Sequence, residues 1–306
     1  MLWGEGDERH DSCRQLKGLA RTHRGGKYEI LKLTSKDLNT MKINVDRSVI
    51  HYLDHGRGVP TLFLHGNPDS SEVWSGVIPS LAKYVRCIAP DLPGFGLSTA
   101  PKDFDYSLEG MATFVDRFVT ELGITEPLNL VVHDIGGPFG LAWVVKHPEK
   151  VKSVVVMNTV FHADYRWHLF GRLWRTPVIG EIVQALTSRS GFTRELKRAS
   201  RRLSREQIHR TYDLVTPSVK KMMLRWYRAA NPRNFAGWEE KLQKILATKH
   251  SIVLWAEHDP YIQRHYANRF GAKKVERFID SGHWLPAELP DAVASRMLRF
   301  YKESIG

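Results

Sequence analysis

The sequence predicts an α/β protein: a mostly parallel central sheet flanked by helices, with a helical segment inserted into it. Three observations carry that expectation. Apolar runs of strand length recur along the chain, and each stops in a loop bearing glycine or aspartate. Stretches with apolar residues at helical spacing separate them, and one long segment breaks the alternation without offering a β run. With 306 residues and 42% hydrophobic residues, the chain can bury a substantial core.

Residues 1–40 are polar, carry charges of both signs and keep no period, so a disordered N-terminal extension is expected there. Residues 1–27 lack the apolar segment of a secretory signal, which makes a cytoplasmic location the expectation. The sheet is expected to open at Met41 with Ile43, Val45, Val49 and Tyr52, closing on the Gly56-Arg57-Gly58 turn. Residues 60–64 form a short apolar strand ending at His65-Gly66-Asn67-Pro68, and residues 85–90 another, ending at Asp91-Leu92-Pro93-Gly94. Leu108, Met111, Phe114, Val115, Phe118, Val119 and Leu122 then mark an amphipathic helix.

Residues 128–132 are apolar, meet His133-Asp134, pass Ile135 and two glycines, and continue into a helix expected over 139–147. A strand that turns so tightly into a helix holds its apex residue, Asp134, in a strained conformation and needs small neighbours. Residues 151–158 supply the next strand. Residues 160–247 hold helical patterns, many aromatics and many basic residues, and are expected as an inserted cap. Strands return at 251–256, before Glu257-His258-Asp259-Pro260, and at 275–279, before Asp280-Ser281-Gly282-His283, and a last helix covers about 290–305. The core is thus expected over 41–159 and 248–306.

The formal net charge of +12 is concentrated: between Arg166 and Lys249, nineteen Lys and Arg stand against six Asp and Glu. No zinc-finger, RNA-recognition or helix-turn-helix signature accompanies it, so a solvated helical face is expected rather than a specific nucleic-acid partner. No uncharged apolar stretch reaches the length of a membrane span, so no membrane partner is expected. Cys13 and Cys87 form neither a disulfide framework nor a zinc motif, and Cys87 reads as a buried strand residue. Neither metal nor cofactor is expected.

In parallel sheets, function collects in the loops after the strands. Asp134, Asp259 and His283 each occupy such a loop, in the order nucleophile, acid, histidine. Each has a plainer reading: Asp134 as a helix N-cap, His283 as a satisfied loop histidine, Asp259 as half of an Asp-Pro turn. Glu257 and Asn158 are then the alternative partners for His283.

From about Met41 onward the chain resembles the α/β-hydrolase superfamily, in the branch that contains haloalkane dehalogenases and epoxide hydrolases. The resemblance rests on His65-Gly66-Asn67-Pro68, on Asp91-Leu92-Pro93-Gly94-Phe95-Gly96, on His133-Asp134-Ile135-Gly136-Gly137, on Asp259 and on Gly282-His283. It implies an α/β-hydrolase fold with a helical cap, Asp134 as the nucleophile forming a covalent alkyl ester, and His283, oriented by Asp259, as the base that activates water. The backbone N–H of Ile135 and one from the Asn67 loop are the implied oxyanion donors.

For a haloalkane, Asn67 matches the family's halide-binding asparagine, but Ile135 stands where an indole is usual; cap residues Trp167, Trp174 and Trp226 are the substitutes. For an epoxide, the implied proton donor is a cap tyrosine, Tyr227 first and Tyr165 second. The substrate expected is a small apolar organic molecule together with water, a haloalkane ahead of an epoxide. A non-catalytic binding protein on the same fold is the alternative of a different class.

Overall fold

The computed structural model describes residues 40–303. The expected N-terminal extension, Cys13 and the end of the last helix lie outside the described residues.

The chain opens with an antiparallel pair, β1 (Thr40–Val45) and β2 (Ser48–His55), followed by β3 (Pro60–Leu64), a one-turn α1 (Ile78–Leu81), β4 (Arg86–Pro90) and α2 (Leu108–Glu121). Strand β5 (Leu128–His133), α3 (Gly136–Lys146) and β6 (Val151–Met157) complete the first half. Six helices then intervene: α4 (Leu169–Arg175), α5 (Ile179–Leu186), α6 (Arg189–Ala199), α7 (Arg205–Leu214), α8 (Pro217–Ala229) and α9 (Trp238–Thr248). Strands β7 (His250–Ala256) and β8 (Lys274–Phe278) and helices α10 (Leu285–Glu288) and α11 (Pro290–Glu303) close the fold.

The eight strands lie in the order β1-β2-β4-β3-β5-β6-β7-β8. Strands β1, β2 and β4 pair antiparallel and every later pairing is parallel. Residues alternate faces along a strand, and the core follows that period. Leu62, Leu64, Leu130, Val132, Val154 and Val156 pack against α2, α3 and α9, whereas Phe63, Val131, Val155, Ile252 and Leu254 pack against α1 and α11. With both faces covered, the central strands are apolar throughout, which is why they read as unbroken runs.

The turn after β5 is tighter than expected. Helix α3 begins at Gly136, three residues earlier than its apolar pattern suggested. A Cβ on Gly136 would run into the Leu64 carbonyl, so only glycine lets the helix start directly against β3. Asp134, one residue beyond β5, takes φ +48°, and Asn158, one residue beyond β6, takes φ +30°. Both are non-glycine residues in the sparsely populated left-handed region, at the carboxyl ends of adjacent strands. Cys87 is fully buried in β4, where burial pushes its thiol up to about 12.

Candidate active site

Strand register sets the site. Asp134, Asp259 and His283 end up side by side because β5, β6 and β7 are consecutive in the sheet and the chain returns past β8 into the His283 loop. His283 Nδ1 donates to Asp259 Oδ2 over 2.7 Å, and His283 Nε2 lies 3.6 Å from Asp134 Oδ2. Asp259 has every lone pair engaged. Asn158 Nδ2 donates to Oδ2 at 2.9 Å, and the Tyr261 and Ile262 N–H groups donate to Oδ1 at 2.8 and 3.0 Å. Of the candidates for the second acid, Asp259 is the one that touches His283. Glu257 instead pairs with Arg277 and Arg264, and Asn158 acts on Asp259.

Asp134 is held from three sides. The Asn67 N–H donates to Asp134 Oδ1 at 2.6 Å. Thr159 Oγ1 and the Gly137 N–H both donate to the Asp134 carbonyl, which fixes the bend. Helix α3 starts directly after Asp134 and carries no side-chain cap at Ile135, so the positive end of its dipole lies close to this residue. The Asp134 carboxyl is held down to about 2: burial would raise it, but the hydrogen bond and charge of His283, the His133 ring and the Asn67 N–H outweigh burial. Burial would likewise lower His283, yet the two carboxylates hold its imidazole up to about 10. The resting site is an ion pair, Asp134 carboxylate with His283 imidazolium.

Over this floor lies a cavity of about 230 Å³ lined by Asn67, Asp134, Ile135 and His283 below and by aromatic cap residues above. Tyr227 lines the cavity together with Asn67 and Asp134, and burial and the Asp134 charge push its phenol pKa well above the ordinary range, so its proton is held tightly. Tyr165 also lines the cavity, but its hydroxyl donates to the Tyr261 carbonyl at 3.1 Å. Trp167, Trp174 and Trp226 all line it, and each has a buried indole N–H with no partner among the described residues. Ile135 contributes an apolar side chain, 1% exposed.

The structure brings in residues the sequence reading passed over. His168 lines the cavity; its Nδ1 accepts from the Gly171 N–H at 3.2 Å, which leaves its single proton on Nε2. Burial pushes this imidazole down to about 4, so it is neutral at ordinary pH. His133, read as part of the elbow motif but given no role there, is paired through Nε2 with the His283 carbonyl at 2.8 Å. Asp69, which the sequence reading did not single out, accepts from Trp284 Nε1 at 2.6 Å and from Thr211 of α7 at 3.1 Å, tying the His283 loop and the cap to the Asn67 loop. Burial, against the Trp284 and Thr211 bonds, lifts the Asp69 carboxyl to about 6. The signal for His168 was its place as an N-cap before a glycine-bearing helix; nothing in the sequence marked Asp69.

A mostly parallel sheet, a strained acid between β5 and its helix, and a histidine paired with a second acid define an α/β-hydrolase. Residues 59–288 match the alpha/beta hydrolase fold family, and the chain belongs to it. It is an enzyme of a hydrolase family, and its curated relatives carry three different activities in their names. It is 27% identical to a cis-3-alkyl-4-alkyloxetan-2-one decarboxylase of Shewanella oneidensis, over 83% of this chain and 86% of that one. It is 30% identical to haloalkane dehalogenase 2 of Mycobacterium bovis, over 82% and 91%. It is 28% identical to epoxide hydrolase 3 of Xenopus tropicalis, over 83% and 74%.

Proposed function

We propose that the chain hydrolyses a small apolar substrate through an alkyl ester on Asp134, and that the atom displaced is an oxygen, as in an epoxide. The observation that carries the choice is Tyr227: a buried phenol that lines the same cavity as Asp134 and Asn67 and stays protonated there. An alkoxide leaving group needs a proton, and a phenol over the nucleophile can deliver one. Neutral His168, with its proton on Nε2, is a second donor in the same cavity. This reverses the order expected from the sequence, which put a haloalkane ahead of an epoxide.

The steps balance. Asp134 attacks the ring carbon, the carbon–oxygen bond breaks, and the oxygen takes the Tyr227 proton. Ester formation removes the carboxylate charge that helps hold the proton on His283, so that proton returns to Tyr227 and the imidazole becomes neutral. Neutral His283, kept in place by Asp259, then takes a proton from water as the oxygen attacks the ester carbonyl. Collapse releases the diol and restores the ion pair. The α3 N-terminus and the Asn67 N–H are the donors for the intermediate's oxyanion.

One observation favours a second reading, dehalogenation. The Asn67 side chain and the unpartnered indole N–H groups of Trp167, Trp174 and Trp226 could together receive a halide, and the Mycobacterium bovis relative is named for that activity. Incubating purified protein with styrene oxide and with 1-bromobutane separates the two. Diol formation exceeding halide release is expected; halide release without diol would overturn the proposal.

A further inference from the structure

The cap carries a second feature that the catalytic reading does not use. Leu169, Val178, Ile179, Ile182 and Leu186 are between 44% and 77% exposed, and they gather on α4, α5 and the turn between them. Ile179, Ile182 and Leu186 recur at helical spacing along one side of α5, a side left largely uncovered by the described residues. Val178 at the turn takes φ +68°, a left-handed conformation that a β-branched residue rarely adopts, and it is 69% exposed. An apolar side chain is therefore held out to solvent at some conformational cost.

Beyond Leu186 along the chain lies an open cleft lined by Arg189, Arg194, Lys197, Arg205 and His209, in which Arg189 is paired with Asp213 and no carboxylate is among the described lining residues. The two surfaces meet at Leu186-Thr187-Ser188, which also lines the outer part of the catalytic cavity. A solvated helical face accounts for the arginines but not for five exposed aliphatic residues.

We propose that this face of the cap docks on an anionic lipid bilayer. The aliphatic residues enter the acyl boundary, the basic cleft meets headgroup phosphates, and the cavity opens towards the lipid. Apolar insertion next to cationic contact is the arrangement that binds proteins to anionic membrane surfaces, and it discriminates against nucleic acid, which offers the aliphatic residues nothing. The docking itself is read independently of the chemistry. Only the inference that an apolar substrate enters from the lipid rests on the proposed function.

The test is co-sedimentation of the full chain with phosphatidylcholine vesicles, with and without phosphatidylglycerol. Binding that requires phosphatidylglycerol is expected. Ile182→Asp and Val178→Asp should each weaken it about tenfold or more, with melting temperature and turnover of a water-soluble substrate unchanged. Arg194→Glu should weaken it and flatten its salt dependence. No binding to the mixed vesicles would overturn the proposal. So would binding that Ile182→Asp leaves intact, or a DNA duplex bound more tightly than the vesicles. A chain that binds vesicles but turns over neither substrate would remove the proposed function alone.

Discussion

The floor and the roof of the cavity are built on opposite terms. On the floor the two carboxylates and the histidine are committed: Asp259 accepts four hydrogen bonds, Asp134 is pinned by the Asn67 N–H, and His283 lies between the two acids, while the Asn67 side-chain oxygen is buried without a partner among the described residues. In the roof, three indole N–H groups have no partner among the described residues, and a phenol and a neutral imidazole hold protons over the nucleophile. In the mechanism we propose, a committed floor is preorganised for one chemistry, forming an ester and cleaving it. An uncommitted roof is where the leaving group is chosen. Relatives bearing three activity names fit that division, since all three match this chain over most of its length.

The comparison breaks first at the floor. Asp134→Ala should remove activity by about 10⁴-fold or more on any substrate, because no first step remains; steady-state assays check this. A smaller and selective loss is expected in the roof. Tyr227→Phe should lower kcat for epoxide opening by about 10²- to 10³-fold and leave any halide release nearly untouched. An equal loss on both substrates would mean that Tyr227 shapes the cavity rather than supplying a proton.

Two further effects test the joint between floor and roof. The His283 N–H donates to the Ala199 carbonyl at the end of α6, and a Cβ on Gly282 would collide with that same carbonyl. Gly282→Ala should therefore cost about 3 kcal/mol of stability and misplace His283, read by denaturant titration. The Asp69 tether should show in pH dependence. Its folded carboxyl titrates near 6 against an ordinary 3.8, so the folded state favours the protonated form. That contribution to stability is complete below pH 4 and is lost as pH rises through 6. Asp69→Asn keeps an acceptor for Trp284 without the charge. Its stability relative to the native chain should rise by about 2 kcal/mol between pH 4 and pH 7, and melting curves across that range would reveal it.

The floor could be read in the sequence because its residues sit at strand ends. Where β5, β6 and β7 stop being apolar, Asp134, Asn158 and Asp259 follow within three residues, and an unbroken apolar run is the clearest signal a buried parallel strand gives. The roof could not be read in the same way. Its helices are short, and aromatic residues serve packing and proton delivery alike, so Tyr227 could be ranked ahead of Tyr165 only by resemblance. Three-dimensional placement supplies the physical difference: the Tyr165 hydroxyl is spent on a main-chain carbonyl, whereas Tyr227 lines the cavity with Asn67 and Asp134. Asp69 lay hidden for a related reason, since its partners Thr211 and Trp284 are 142 and 215 residues away.

The claim on which the rest depends is a covalent ester at Asp134, and trapping tests it most directly. His283→Gln retains the nucleophile and removes the base, so incubation with styrene oxide should add the mass of one substrate to the intact chain. Peptide mapping should place that mass on the fragment containing Asp134. An unmodified chain after incubation with the epoxide and with 1-bromobutane, or an adduct on any other residue, would contradict the account.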